Sequence, residues 1–125
     1  MTIVEADKKV VAIVEDDASM LKGLARLLSA HGFATEVYTS AEAFLAAAAA
    51  SAAGCLVLDI NLGGISGIEL RRRLAAAGSR LPVILMTAID SDVVRKEAAE
   101  AGCIAYLRKP FPARQLIDAI GKAVG

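Results

Sequence analysis

Short apolar runs alternate with helix-like segments along the whole length of this 125-residue chain. The runs at residues 9–14, 55–59 and 81–87 are continuous and brief, which is typical of parallel strands buried on both faces. A weaker run at 35–38 predicts an edge strand, and 105–109 predicts the last strand. Five strand–helix units joined by short loops predict one α/β domain with a right-handed, doubly wound sheet.

The helical segments carry their own start and stop signals. Asp17 or a neighbour can cap the first helix, and Gly32 can end it. Thr39 and Glu42 have the spacing of a capping box for the second helix. A polar fourth helix is predicted over residues 92–101. The side chains predicted to face the core are Met20, Leu21, Leu24, Leu27 and Leu28 in the first helix, Ile68, Leu70, Leu74 and Ala77 in the third, and Leu116, Ile117, Ile120 and Val124 in the fifth.

The composition argues against nucleic acid binding, membrane insertion and secretion. Fourteen acidic residues balance fourteen basic ones, so no net charge favours direct nucleic acid binding or a membrane surface. Apolar stretches fall far short of the roughly 20 residues that span a bilayer, and residues 1–9 show no secretory signal. We therefore expect a cytoplasmic domain. Cys55 and Cys103 lack a CxxC partner and are expected to be reduced thiols, and the lone His31 is expected to be structural.

Polar residues stand at the carboxyl ends of the predicted strands. Glu15 and Asp16 follow the first strand, Asp59 ends the second buried run, and Thr87 and Lys109 end the last two strands. In a parallel sheet these ends meet at one crevice, where ligands bind. Carboxylates there can hold Mg²⁺, and a hydroxyl and an ammonium can bind phosphoryl oxygens. Each residue alone has an ordinary structural explanation, but the combination predicts a metal-dependent phosphoryl site.

The segments around these residues resemble the response-regulator receiver domain of the CheY-like superfamily, over about residues 8–124. The matching segments are VEDD (14–17), VLDINLGGISG (57–67), PVILMTA (82–88) and YLRKPF (106–111), in the family's order and at its spacing. The resemblance implies one receiver domain over residues 1–125, with the flavodoxin-like (βα)5 fold and the strand order 2-1-3-4-5. It also implies two-component signalling, in which the domain catalyses only its own phosphorylation and dephosphorylation and is no enzyme for external substrates.

The resemblance assigns the chemistry of the site. Asp59 would be the phosphoacceptor, receiving phosphate from a histidine kinase or a histidine phosphotransfer protein. Asp16, Asp59 and the backbone carbonyl of Asn61 would hold Mg²⁺ (or Mn²⁺), and Glu15 would act on the metal mainly through water. Lys109 would pair with Asp59 and then with the phosphoryl group.

The resemblance also implies a switch. Thr87 would turn toward the phosphoryl group, which the small Ala88 permits, and Tyr106 would follow from an exposed to an inward position. Pro110 would follow a cis peptide bond. The face made by the fourth helix, fifth strand and fifth helix would then bind a downstream effector domain or protein, or a second copy of the chain. Candidate side chains on that face are Arg95, Lys96, Tyr106 and Arg108.

Some features depart from the family pattern, and three other functions share part of it. Gly63 and Ser66 stand where the family usually has proline and aspartate, so a looser loop is expected. A haloacid-dehalogenase-type, Mg-dependent phosphatase would share the aspartate nucleophile but would want a second aspartate at Asn61. A flavodoxin-like FMN carrier would want a Ser/Thr/Gly phosphate loop after the first strand. A docking module that is never phosphorylated is disfavoured, because every expected site residue is present.

Overall fold

The computed structural model describes residues 8–124 of the chain. The domain was predicted over residues 1–125, and its ends at 1–7 and 125 lie outside the described residues. The prediction that the N-terminus has no secretory signal also concerns residues outside this range. The strands are β1 (Val10–Val14), β2 (Ala34–Tyr38), β3 (Cys55–Asp59), β4 (Val83–Thr87) and β5 (Ala105–Arg108). The helices are α1 (Ala18–Ala30), α2 (Ala41–Ala47), α3 (Gly67–Ala76), α4 (Asp92–Glu100) and α5 (Ala113–Val124), and α2 continues into a 3-10 turn at Ala48–Ala50.

The five strands pair in parallel, in the order β2-β1-β3-β4-β5. This order confirms the doubly wound sheet that the alternation of segments predicted. The chain moves from β1 outward to β2 and then returns past β1 to β3. Helices that follow β1 and β3 consequently leave on opposite faces, and a crevice opens between these two strand ends.

Both faces of the sheet are covered, so β3 and β4 bury all their side chains and β1 buries all but that of Val10. In β1, Val11 and Ile13 pack toward α1 and α5, whereas Ala12 and Val14 pack toward α2, α3 and α4. This alternation follows from the two-residue period of a strand and explains why the runs are continuously apolar. The helix side chains that fill the two layers are Leu21, Leu24, Leu28, Leu116 and Ile120 on one face and Phe44, Ile68, Leu70, Leu74 and Ala98 on the other.

The start of α2 differs from the predicted capping box. Ser40, and not Thr39, is the N-cap residue, and its Oγ accepts a hydrogen bond from the Ala43 N–H at 3.0 Å. With Ser40 as the cap, Glu42 falls one position too early to reach back to the cap backbone. The capping-box prediction was therefore wrong, and the Glu42 carboxylate is left to bond elsewhere.

Other helix ends agree with the sequence more closely. Asp17 caps α1 by accepting from the Met20 N–H at 3.0 Å, and α1 ends before Gly32, whose φ of 86° suits glycine. The prediction for Ala77 was wrong. It is exposed at the C-cap of α3, because the helix ends one residue earlier. The His31 ring nitrogen Nδ1 lies 3.0 Å from the Leu27 carbonyl at the end of α1, which is a structural role.

The segment after the 3-10 turn is fixed by a side chain from β2. The Glu36 carboxylate accepts from the Ser51 hydroxyl at 2.7 Å and from the Ala52 N–H at 3.0 Å, and the Tyr38 hydroxyl donates to it at 2.9 Å. Burial works against this carboxylate, but its three hydrogen bonds lower the pKa of Glu36 below the usual value. Within residues 8–124, no helix combines the length and apolar character that crossing a bilayer requires.

Candidate functional site

Three carboxylates converge on the crevice between β1 and β3. Glu15 and Asp16 directly follow β1, and Asp59 is the last residue of β3, which is hydrogen-bonded to β1 along its length. One ligand oxygen from each lies within 4.8 Å of the others. Glu15 and Asp59 are buried, whereas Asp16 is exposed. The predicted acidic cluster is therefore present at the point where the sheet topology places it.

Lys109 bonds to both buried carboxylates. Its Nζ donates to Glu15 Oε1 at 2.7 Å and to Asp59 Oδ2 at 3.0 Å. Burial raises the pKa of Glu15 above the usual glutamate value, although the bond from Lys109 opposes this. Burial also disfavours the charged form of Lys109, but its bonds to Glu15 and Asp59 raise the lysine pKa. The ammonium is thus held charged between two acids.

The second oxygen of Asp59 is held by the loop that follows it. Asp59 Oδ1 accepts a hydrogen bond from the Asn61 N–H at 3.0 Å. At the other end of this loop, Gly67 lies so close that a Cβ there would collide with the Leu58 side chain and the Asp59 carbonyl oxygen. The start of α3 is therefore pressed against the end of β3, and both Asp59 oxygens have defined partners.

The donor set suits a hard divalent cation. Mg²⁺ and Mn²⁺ prefer carboxylate and carbonyl oxygens, and Mg²⁺ usually keeps several waters and takes one or two protein carboxylates. Asp16 is exposed and one of its oxygens lies within 4.8 Å of one of Asp59, so an ion that keeps part of its water shell could contact both. An acidic cluster of this kind fits the metal that the receiver resemblance implies.

Thr87 ends β4 and bonds to its own loop. Its hydroxyl donates to the Ile89 carbonyl at 2.9 Å, and its Oγ1 accepts from the Ile89 N–H at 3.0 Å. The Tyr106 hydroxyl donates to the same Ile89 carbonyl at a longer 3.4 Å. The two residues predicted to switch together therefore share one backbone acceptor. Ala88 lies between Thr87 and Ile89 and is exposed.

Comparison with known proteins decides the family. The pattern described as "Response regulator receiver domain" matches residues 11–121, which is most of the chain. The chain belongs to this family. The receiver domain is 37% identical over 115 residues to the transcriptional regulatory protein FixJ of Azorhizobium caulinodans, and 33% identical over 117 residues to the response regulator protein TmoT of Ectopseudomonas mendocina. These alignments cover 92% and 94% of this chain but 54% and 53% of the relatives, so the receiver domain spans about half their length.

Solved structures match the receiver domain over nearly its whole length. The crystal structure of FixJ-N has a TM-score of 0.88 and 36% identity, covering 94% of both chains. Full-length FixJ from B. japonicum has a TM-score of 0.84 and 34% identity, covering 93% of this chain and 59% of that one. A CheY-like receiver domain protein from Methanospirillum hungatei JF-1 has a TM-score of 0.88 at 25% identity, covering 94% of both chains. The predicted family and the CheY-like fold are confirmed.

A second charged network of the receiver domain lies beside Tyr106. The Arg95 guanidinium donates to both oxygens of Asp90 at 3.0 Å, and its Cζ lies 4.9 Å from the centre of the Tyr106 ring. The hydrogen bond from Arg95 holds the pKa of Asp90 below its usual value. Arg95 was singled out in the sequence as a face residue, but its partner Asp90 was not. Asp90 lies before the start of α4 and five residues from Arg95, so the i,i+4 spacing of helical ion pairs does not predict this contact.

The other residues singled out in the sequence have the following places. The bond between Lys109 and Pro110 is cis, which is the conformation that the resemblance implied. Arg108 is exposed at the end of β5, and Lys96 lies on α4 with its Nζ 3.9 Å from Glu100 Oε1. Cys55 is buried and Cys103 half-buried, and burial raises the pKa of the Cys55 thiol to about 12, so Cys55 is inert at neutral pH.

Proposed function

We propose that Asp59 of this receiver domain accepts a phosphoryl group from the phosphohistidine of a histidine kinase or phosphotransfer protein, with Mg²⁺ or Mn²⁺ bound. The observation that carries this proposal is the buried Asp59 carboxylate, paired with Lys109 at 3.0 Å and grouped with Glu15 and Asp16 within 4.8 Å. A nucleophile of this kind must approach an anionic donor, so positive charge beside it lowers the repulsion. Lys109 supplies part of that charge, and a bound metal would supply more.

The chemical step transfers the phosphoryl group by forming one bond to phosphorus and breaking another. An Asp59 oxygen forms a bond to phosphorus while the phosphorus–nitrogen bond of the phosphohistidine breaks, and the imidazole leaves with the electron pair and takes up a proton. The bound metal would supply charge neutralisation. Asp16, Asp59 and the Asn61 carbonyl would hold it directly, and Glu15 would orient its water. Lys109 then exchanges its bond to the carboxylate for one to a phosphoryl oxygen.

The switch follows from the shared acceptor at Ile89. For Thr87 to bond a phosphoryl oxygen, its hydroxyl must leave the Ile89 carbonyl, to which it now donates at 2.9 Å. Among the residues that the structure describes, the Ile89 carbonyl would then keep only the Tyr106 hydroxyl as a side-chain donor. Because this bond links the loop after β4 to the Tyr106 ring, the two can move together. A change of bonding partner at the site thereby alters the face formed by α4, β5 and α5.

The altered face is proposed to bind the output partner. Receiver domains of response regulators act with kinases and effector domains, and FixJ of Azorhizobium caulinodans is named a transcriptional regulatory protein. We extend this to an effector domain or protein that recognises the surface around Arg95, Lys96, Tyr106 and Arg108, or to a homodimer formed on activation. The phosphodonor and the receiver would meet in the cytoplasm.

Phosphorylation by a small donor tests the proposal. Wild type and Asp59→Asn are incubated with acetyl phosphate and Mg²⁺, and intact mass is measured before and after brief base treatment. We expect a base-labile gain of one phosphoryl group in the wild type, and no gain in Asp59→Asn or in wild type with EDTA. An adduct that persists in Asp59→Asn would reject Asp59 as the acceptor.

A turnover assay with an external phosphoester separates the proposed role from that of a phosphatase. A phosphatase of the haloacid-dehalogenase type would release phosphate from external phosphoesters through many cycles, whereas this domain is proposed to act only on its own aspartyl phosphate. Asn61 lacks the carboxylic acid that would protonate a leaving alcohol, which supports the proposal. Steady phosphate release from p-nitrophenyl phosphate would contradict it, and an unmodified wild type would favour a docking module.

A further inference from the structure

A side chain from α2 reaches the loop between β3 and α3. The Glu42 Oε2 accepts a hydrogen bond from the Ile65 N–H at 3.2 Å, joining positions 23 residues apart. The same carboxylate lies against Gly64 so closely that a Cβ at position 64 would collide with it. Glu42 therefore contacts two consecutive residues at the loop tip.

The backbone conformation does not require glycine at position 64, and the Glu42 carboxylate is the group that an added Cβ would meet first. The glycines with positive φ among residues 8–124 are Gly32, Gly78 and Gly102. Gly64 is not one of them, and the three atoms nearest to an added Cβ all belong to the Glu42 carboxyl group, which an alanine at position 64 would have to displace. Gly63 precedes it, so two successive residues of the tip have no side chain with which to pack. An anchor from outside the loop is what can fix such a segment.

One end of this loop is bonded to the acidic cluster, and the other end is bonded to the residue that follows Asp59. The Asn61 N–H donates to Asp59 Oδ1 at 3.0 Å, and the Gly67 N–H donates to the Ile60 carbonyl at 3.0 Å. Glu42 thus holds the middle of a seven-residue segment whose ends are attached to the phosphoacceptor strand and to α3. A displacement of the tip would be passed to the Asn61 backbone, which lies four residues from Ile65.

We propose that Glu42 is a positioning residue for the phosphoryl site, holding the loop tip so that the Asn61 backbone stays oriented toward Asp59 and the bound metal. This inference rests on the proposed function. The ordinary alternative is that Glu42 merely favours the N-terminus of α2, where an acidic residue is stabilising. The two roles differ in what substitution by glutamine does, because glutamine loses the charge but keeps an oxygen acceptor.

Metal affinity and backbone protection provide the test. Mn²⁺ binding to Glu42→Ala and Glu42→Gln is measured by electron paramagnetic resonance, and hydrogen exchange at the Ile65 amide is measured without metal. We expect Glu42→Ala to weaken Mn²⁺ binding by about threefold and to speed Ile65 exchange. This is less than the roughly 10–100-fold for residues that bond a metal ligand directly, because Glu42 acts through the loop. Glu42→Gln should resemble the wild type in both. Asp92→Ala, which removes a first-turn acid from α4, should change neither.

Gly64→Ala adds an independent variant that leaves Glu42 itself intact. Its Cβ should displace the carboxylate and reproduce the effect of Glu42→Ala, and the double variant should be no worse than either single variant. Additive losses would mean that the two positions act separately, which would overturn the inference. Loss of affinity in Glu42→Gln equal to that in Glu42→Ala would assign the effect to charge and would overturn it as well.

The outcomes also distinguish this role from the proposed function. A wild-type chain that binds Mn²⁺ and accepts phosphate on Asp59, while Glu42→Ala behaves identically, overturns the positioning role alone. A wild-type chain that does neither overturns the proposed function and the positioning role with it. Slower exchange at Ile65 and tighter Mn²⁺ binding in the wild type than in Glu42→Ala, with Glu42→Gln unchanged, supports both.

Discussion

Two networks of charged side chains lie at the carboxyl end of the sheet and differ in how they are built. The first joins Glu15, Asp59 and Lys109 from three strand ends, with side chains 1%, 9% and 19% exposed. The second joins Asp90, Arg95 and Tyr106 through one loop, one helix and one strand, and the side chains of its Arg95 and Asp90 are 53% and 26% exposed. One network is enclosed by the fold, and the other lies on its surface.

This difference in burial matches a difference in proposed role. Removing one member of a buried charged group leaves its partners desolvated and unpaired, so the group holds one arrangement firmly. An exposed pair exchanges easily with water and is screened by salt, so it can rearrange at little cost. A fixed group suits the chemistry at Asp59, and an adjustable group suits a face that must change after phosphorylation.

Replacing Lys109 by methionine should give the largest effect on stability. Glu15 and Asp59 would then face each other with no internal cation. We expect the free energy of unfolding at pH 7 in EDTA to fall by about 2–3 kcal/mol, somewhat below the roughly 3–5 kcal/mol for a fully buried pair, because Lys109 is partly exposed. Urea denaturation measures this. The loss should shrink at pH 5, because burial raises the pKa of Glu15 and this carboxylate takes up a proton as the pH falls.

A lysine on α4 supplies the matched control for that comparison. Lys96 is 79% exposed and its Nζ lies 3.9 Å from Glu100 Oε1, so Lys96→Met removes the same chemical group from the surface. The expected change is within about 0.5 kcal/mol. Equal losses in the two variants would mean that burial does not distinguish the lysines, and the contrast between the networks would fail.

Glu15→Gln should give a smaller change of the opposite sign. Burial raises the pKa of Glu15, so the folded protein binds this proton more tightly than the unfolded chain. The stability gained from that proton is present below the ordinary glutamate pKa of 4.5 and is lost as the pH rises through the folded value. The glutamine variant should therefore be more stable than the wild type at pH 8, with the difference shrinking toward pH 4.5.

Urea denaturation across that pH range, in EDTA, gives the measurement. The difference between variant and wild type at each pH removes the contribution of the other titrating groups. A glutamine variant that is less stable than the wild type at pH 8 would show that the bond from Lys109 outweighs the cost of burial. The buried network would then be favourable in its charged form.

Arg95→Met should change the surroundings of the Tyr106 ring clearly but lower the free energy of unfolding only slightly. The urea midpoint should move by a small fraction of the shift seen in Lys109→Met, and less again at high salt, because the Arg95–Asp90 pair is open to solvent. The Tyr106 ring resonances should shift, since the guanidinium now lies over that ring. Unchanged ring resonances would mean that Arg95 does not set the position of Tyr106.

The buried network could be predicted from the sequence, whereas part of the exposed network could not. Glu15, Asp59 and Lys109 were predicted together because each stands at a strand end, and parallel strand ends converge whatever the details of the loops. Asp90 was missed because its bond to Arg95 depends on how the loop turns before α4. The capping box at Thr39 failed for a similar reason, since a one-residue difference in where α2 starts redirected Glu42 to Ile65.

Tyr106→Phe should give the smallest effect and separates the two contacts of that ring. Its hydroxyl lies 3.4 Å from the Ile89 carbonyl, a long hydrogen bond, so its removal should change the free energy of unfolding by less than about 0.5 kcal/mol. The phenyl ring should keep Arg95 above it, which ring resonances would detect. If the hydroxyl instead holds the Ile89 loop, the amide exchange of Ile89 should quicken in this variant. The Tyr106 hydrogen bond would then be a fixed contact, like those of the buried network.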